Sequence, residues 1–504
     1  MPRTEEQAQA IDFVKTGQNT KIQAPAGSGK TYTLWEAAKE LKDKRGLYVA
    51  FNKAIADSAG KKFPAYVNCR TGHSLAFTEV GRKYSTRLGK ITGTILAKEM
   101  DIGDVSKYPT PPTKGYLILD TLRIYCYSAE DHISPLHVPK IVGPYTPEEI
   151  TVMEIDIANQ AKKVWDKMAD INNTFPITHD FYLKLWALSN PKLNKDFILF
   201  DEAQDANAVI LKVITGQKNS QLIFVGDKYQ QIYAWRGAIN AMDKIKTEHS
   251  AFLTQSFRFG PAIAEMANKI LQNYMPPDVR PLSIKGLTDK IGEILRGKPK
   301  EDFTPDAILC RTNAGVISNV FQQLALKRKV YIQGGVTQTI NLLKGASDLK
   351  AGRKTWCPEL CLFNNWQEVM EYSNSGIGQD MKAFVSMIET HGIQNLINTL
   401  QDTCTTPEES EVILTTAHRA KGLEWETVKL HSDFYAPAPG KRLPQGEINL
   451  LYVAATRALS NLDISDCPPC HDDSLYNANA SFFDKNHKHN DWDGDSDYDE
   501  DEED

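Results

Sequence analysis

Short runs of apolar, β-branched and aromatic residues recur along the chain, each closed by a polar cluster: Lys21 to Ala24, Leu47 to Phe51, Phe197 to Phe200, Leu222 to Val225, Ala307 to Cys310 and Glu411 to Leu414. Runs this short predict strands buried on both faces of a parallel sheet. Between several of them the apolar positions take helical spacing, as in TYTLWEAAKEL (31–41) and PAIAEMANKIL (261–271). Strand and helix in alternation predict an α/β fold, with reactive groups gathered at the carboxyl ends of the strands. Two stretches break the rhythm. Residues 79–190 hold AKKVWDKMADI and HDFYLKLWAL, and residues 346–405 hold WQEVMEYS and DMKAFVSMIE. Both are predicted to be mainly helical insertions into α/β cores.

With 504 residues, 41% hydrophobic and 24% charged, the composition is that of a globular protein and excludes disorder throughout. No apolar run approaches the ~18 residues of a membrane span, and the opening Met-Pro-Arg-Thr-Glu-Glu lacks the apolar core of a signal peptide. The expectation is an intracellular protein, in cytoplasm or nucleus, with no membrane partner. Residues 491–504 carry ten carboxylates and no base; taking those ten from the net charge of −6 leaves the rest of the chain at +4. A mildly basic body therefore precedes an acidic tail, expected to be disordered and a candidate docking element for a protein partner. The eight cysteines are scattered and are expected to stay reduced.

The stretch Ala24-Pro25-Ala26-Gly27-Ser28-Gly29-Lys30-Thr31 follows a predicted strand and opens a helix, the context a phosphate-binding loop requires. The glycines let backbone N–H groups close around phosphates, Lys30 supplies a point charge near the outer phosphate oxygens, and the Thr31 hydroxyl reaches Mg²⁺. Ala24 replaces the first glycine of the usual pattern. The strand Phe197–Phe200 ends in Asp201-Glu202, which suits Asp201 to holding Mg²⁺ and Glu202 to orienting and deprotonating an attacking water. A third strand end, VGDKYQQIYAWRGA (225–238), offers Gln230 as a neutral sensor of the γ-phosphate. Its Tyr233 and Trp235 suit either base stacking or core packing.

Together these segments resemble a superfamily 1A helicase of the UvrD/Rep type. The remaining motifs follow in order: RTEEQAQAI (3–11) with Gln7 resembles the adenine-reading Q motif, LTQSFR (253–258) motif IV, TTAHRAKGLEW (415–425) motif V and LYVAATRA (451–458) motif VI. Other stretches, LYVAFNKAIA (47–56), CRTGHSLA (69–76), THDFYLKLW (178–186) and TQSFRFG (254–260), resemble the helicase part of the F-box DNA helicases, without an F-box. The resemblance implies two RecA-like parallel-sheet domains, each with a mainly helical insertion. Residues 1–78 and 186–260 would form the first, 79–185 its insertion, 261–345 and 405–475 the second, 346–404 a short accessory insertion, and 476–504 the tail.

The resemblance also implies roles. ATP and Mg²⁺ would be the substrate and cofactor, with Lys30, Glu202 and Gln230 catalytic, Arg258 and Arg457 as arginine fingers, Phe257 stacking on adenine and Glu424 on the ribose. Phe51, Asn52, Thr71, His73, Tyr233, Trp235, Arg236, Arg311 and His418 would line a single-strand channel. Gly72 stands where an aromatic is usual. The implied activity is a 3′-to-5′ DNA translocase and helicase acting on single-stranded and tailed duplex DNA. The alternatives are a motor that strips proteins from single strands without unwinding, and a binding protein whose ATPase switches its grip.

Overall fold

In a computed structural model the described residues are 3–470 apart from 90, 92, 103–110, 142–144, 234–236, 275–281, 298–303, 356, 358, 359, 361, 362, 364, 375–378 and 437–442. The acidic tail, Trp235 and Arg236 lie outside them.

Six strands, β1 (Thr20–Gln23), β2 (Gly46–Ala50), β3 (Val67–Thr71), β4 (Phe197–Phe200), β5 (Gln221–Gly226) and β6 (His249–Phe252), pair in parallel in the order β3-β2-β4-β5-β1-β6. A second parallel sheet joins β7 (Glu293–Leu295), β8 (Ala307–Cys310), β9 (Val330–Ile332), β10 (Val412–Thr416), β11 (Trp425–Leu430) and β12 (Ala458–Asp463) in the order β7-β12-β11-β8-β10-β9. Every apolar run identified from the sequence coincides with an interior strand, with ends shifted by a residue or two. β2, β4 and β5 are buried along their whole length, as strands covered on both faces must be.

Register fixes the functional edge. Val49 pairs with Phe200, Phe200 with Phe224, and Gln23 with Gly226. The residues that follow these strands, Phe51, Asp201, Asp227 and Ala24, therefore emerge along one edge of the first sheet, where the second sheet's segments meet them. Ala26, Tyr229 and Ile232 of the first lobe share a core with Phe259 and with the helix Gln445–Ala455 of the second.

The first helix-rich stretch builds its own core from Leu96, Ile118, Tyr125, Ile157, Val164, Phe181 and Trp186, closed by Val209 and Val213 of the first lobe. The second does not close on itself. Leu349, Val369, Ile388, Leu396 and Leu400 pack with Ile308, Val330, Ile332, Val412 and Leu414, so these helices cover a face of the second sheet. No helix among the described residues is long and apolar enough to cross a membrane.

Lys184 anchors the first insertion. Its buried ammonium donates to Ser128 O at 2.9 Å and Glu130 O at 2.5 Å, beyond the carboxyl end of the helix Pro111–Tyr127, and lies 4.2 Å from the centre of the Tyr125 ring. Burial pulls its pKa down to about 8. Between that value and the ordinary lysine range the unfolded chain holds the proton and the folded chain releases it, so stability rises with pH there. Urea unfolding at pH 7.5 and 9.5 is expected to show this rise in the native protein, and Lys184→Met is expected to remove it. An equal rise in both would place its origin elsewhere.

Candidate functional site

The loop Ala24–Gly29 joins β1 to the helix Lys30–Glu40. Gly27 (φ 74°) and Gly29 (φ 81°) both take left-handed backbone, and a Cβ on Gly27 would stand 2.5 Å from Ser256 Oγ and from Arg258 Cβ. A side chain there would push the loop off the segment that crosses between the lobes. Ala24 has no positive φ; it is buried, with its N–H on Gly226 O at 2.9 Å, so the position accepts a methyl group in place of the usual glycine's hydrogen.

Two oxygens suited to a hard cation come together beside this loop: Thr31 Oγ1 donates to Asp201 Oδ2 at 3.0 Å. The same carboxylate oxygen accepts from Tyr48 OH at 2.5 Å. Lys30 Nζ lies 3.1 Å from Glu202 Oε1, and Gln204 Nε2 donates to Glu202 Oε2 at 2.5 Å. Burial alone would raise Glu202, but Lys30 and then Lys421 hold it down at about 2, so it is a carboxylate at neutral pH. Burial likewise pulls Lys30 down and is outweighed by Glu202, Asp227 and Asp201, so it stays charged. Glu202 itself has left-handed backbone (φ 51°, ψ 43°), a conformation that costs a non-glycine residue about 1 kcal/mol or more and that aims its side chain back at the loop.

Asp227 ties the lobes together. It accepts from Gln230 Nε2 at 2.9 Å, from Tyr229 N at 3.1 Å and from Tyr452 OH at 2.9 Å, while Ala26 N donates to the same Tyr452 oxygen at 3.2 Å. Lys421, also from the second lobe, pairs with Asp205 and donates to Gln230 O at 2.7 Å. Tyr48, Asp205, Lys421 and Tyr452 were not singled out in the sequence, where each reads as part of an apolar strand or helix or as an ordinary surface charge.

Both candidate arginine fingers reach this edge. Arg258 lies in the segment crossing between the lobes, with Nε 2.8 Å from Glu424 Oε2 and a terminal nitrogen 3.2 Å from Thr456 O. Arg457 is 1% exposed and, among the described residues, donates to neutral acceptors, Val453 O, Leu423 O and Thr456 Oγ1. Burial and then the charge of Arg258 lower it to about 9. Gln7 donates to Ser28 O at 3.4 Å, and Phe257, whose N–H bonds Gly27 O at 2.8 Å, lies beside Gly29.

The candidate channel residues divide into two groups. Phe51 and Tyr233 stack with ring centres 5.4 Å apart and planes 12° from parallel, Tyr233 OH donates to His418 O at 3.3 Å, and Lys421 Nζ stands 5.3 Å from the Tyr233 ring centre. Burial, then Arg311, keep His418 below the ordinary imidazole value. Arg311 forms a two-pronged pair with Glu447 at 2.7 and 2.8 Å and lies 4.1 Å from the Tyr435 ring centre. Asn52 and Thr71, by contrast, cap helices, accepting from Ile55 N and Ser74 N, and His73 Nε2 is 3.1 Å from Asp180 Oδ1. At Gly72 a Cβ would stand 2.4 Å from Ile210 Cδ1, so a side chain there would require the Ile210 side chain to shift.

Residues 144–249 match the UvrD/REP helicase N-terminal domain and residues 360–468 the UvrD-like helicase C-terminal domain. The chain thus carries matches to both the N-terminal and the C-terminal domain of the UvrD-like helicases. Among its relatives, F-box DNA helicase 1 of Gallus gallus is 31% identical over 503 residues, covering 90% of this chain and 48% of that protein. F-box DNA helicase protein 1 of Schizosaccharomyces pombe is 28% identical, covering 92% and 57%. ATP-dependent DNA helicase PcrA of Leuconostoc citreum is 25% identical over 279 residues, covering 50% of this chain and 37% of that protein. The chain thus spans about half the length of the F-box relatives it matches.

Proposed function

We propose that this chain is an ATP- and Mg²⁺-dependent DNA helicase that translocates 3′ to 5′ on single-stranded DNA and unwinds tailed duplexes. One observation carries the reading: a phosphate-binding loop with paired carboxylates on one lobe faces, in Arg457, a buried arginine from the other lobe that has no ion pair among the described residues. The names of the relatives, DNA helicases in three cases, agree with it.

In this mechanism Lys30 and the loop N–H groups hold the phosphates, Phe257 and Gln7 lie toward the base, and Glu424 toward the ribose. Thr31 and Asp201 would hold Mg²⁺, which neutralises charge on the phosphate oxygens. Glu202, held as a carboxylate, orients water and takes its proton. Arg258 and Arg457 stabilise the charge that develops on the transferred phosphoryl group, and because both are bonded to second-lobe groups their approach depends on closure. Closure also moves Lys421, which bridges Asp205, the Gln230 backbone and the Tyr233 ring, so the nucleotide edge and the aromatic pair shift together.

Phe51 and Tyr233 supply the stacking faces for bases, with Trp235 and Arg236 assigned to the same channel from the sequence. Stacking is worth ~1 to 3 kcal/mol per base. Tyr233→Ala is expected to weaken single-strand affinity by about tenfold or more and to abolish most of the DNA stimulation of the ATPase, with basal turnover retained. Fluorescence anisotropy with labelled oligonucleotide and a phosphate-release assay check both. Loss of basal turnover as well would assign Tyr233 to packing.

The experiment that tests the function is ATP hydrolysis with and without single-stranded DNA, run beside displacement of a labelled strand and removal of a protein bound to single-stranded DNA. Stimulated hydrolysis with strand displacement is expected. Protein removal without displacement would make the chain a stripping motor, and unstimulated hydrolysis would reject the motor altogether.

A further inference from the structure

At the edge of the first sheet opposite the nucleotide loop, near Asn19 and the start of β5, a groove of about 580 Å³ opens between the helix Ala208–Thr215, β5 and residues 244–246. Its ten lining residues include three lysines and no carboxylate. Leu211, Phe224 and Ile245 form an apolar floor, each 9% exposed or less. Lys212 is committed to Asp131 at 2.6 Å, but Lys244 and Lys246 are exposed and enter no ion pair among the described residues. The local pattern is therefore cation, apolar, cation: Lys244-Ile245-Lys246.

The chain carries the complementary pattern twice in its acidic tail, as Asp491-Trp492-Asp493 and Asp497-Tyr498-Asp499. Each triplet places a flat apolar ring between two carboxylates. Reach is sufficient. Trp492 is twenty-two residues beyond Cys470, the last described residue, and an extended chain spans roughly 3.3 to 3.6 Å per residue, or about 75 Å. A fold of this size is about 60 Å across, and half its circumference, about 95 Å, is matched by the twenty-eight residues that lead from Cys470 to Tyr498.

We infer that the acidic tail docks in cis on this groove, with the Trp492 or Tyr498 ring on the Leu211–Phe224–Ile245 floor and the flanking aspartates against Lys244 and Lys246. Docking here parks a polyanion at the edge of the first sheet away from the nucleotide loop. The two parts of the contact act differently: charge attracts over a distance of about a Debye length, and the ring fixes the position once the tail arrives.

Zero-length carbodiimide coupling of the full-length protein, which joins lysine amines to carboxylates already in contact, tests this. The Lys212–Asp131 pair serves as an internal standard. Peptide mapping of the monomer fraction is expected to recover Lys244 or Lys246 joined to residues 491–504. In the Trp492→Ser, Tyr498→Ser double variant, which keeps every charge, the yield is expected to fall about fivefold or more, with the Lys212–Asp131 product unchanged. Three results would overturn the inference: tail links spread over other lysines without enrichment at these two, links found only between ¹⁴N- and ¹⁵N-labelled copies in a mixture, or an undiminished yield in the double variant.

Discussion

Glu202→Gln is expected to lower ATP turnover by ~10² to 10⁴-fold while nucleotide binding persists. The glutamine is isosteric and keeps an oxygen for Lys30 or Gln204, which stand at 3.1 and 2.5 Å from the native carboxylate. What it loses is the negative charge. Lys30 and Lys421 hold the native group near 2 against the effect of burial, so at neutral pH it is fully ionised and ready to orient a water. Lys30→Ala is expected to behave differently, weakening both binding and turnover, because in the proposed mechanism Lys30 holds the phosphates themselves. Equilibrium binding of a fluorescent nucleotide beside steady-state hydrolysis separates the two variants. Near-native turnover in Glu202→Gln would remove it from the chemistry.

Arg457→Ala is expected to cost ~10³-fold or more in kcat, with nucleotide affinity changed by only a few-fold. A buried guanidinium whose acceptors among the described residues are all neutral, and whose pKa has fallen to about 9, is costly to maintain unless an anion completes its surroundings at some stage of the cycle. In the proposed mechanism the developing charge of phosphoryl transfer is that anion. Arg258, already paired with Glu424, is expected to show a smaller effect. Because Arg457 also holds three backbone or hydroxyl acceptors, thermal unfolding of the variant must accompany the kinetics, and Arg457→Lys, which preserves charge, is expected to recover part of the loss. A change confined to affinity would reject the finger role.

How much of this was legible in the sequence follows from what burial does to a strand. Each of the six apolar runs became an interior strand because a parallel strand covered on both faces has no place for polar residues. β3, β6, β7 and β9 escaped notice because they are sheet edges, three to five residues long, and carry polar residues such as those of Val67-Asn-Cys-Arg-Thr71. β11 and β12, though interior, are only partly buried along their length and read as mixed segments. The placement of the loop Ala24–Gly29 and of Asp201-Glu202 at strand ends was legible because each follows directly on an apolar run. Tyr48 and Tyr452 were not, because a tyrosine in an apolar run looks like core until register brings its hydroxyl to Asp201 or Asp227. Asn52 and Thr71 each stand directly before a helix, where a cap is required, so their capping role is legible from the sequence.

In the proposed mechanism, hydrolysis at this edge drives directional movement on DNA. Its most direct test is strand displacement from two duplexes that differ only in bearing a 3′ or a 5′ single-stranded tail, with ATP and Mg²⁺, using native protein and Glu202→Gln. Unwinding of the 3′-tailed duplex by the native protein alone is expected, with the 5′-tailed duplex left intact. Unwinding of the 5′-tailed duplex instead, or unwinding that survives in Glu202→Gln, would contradict it.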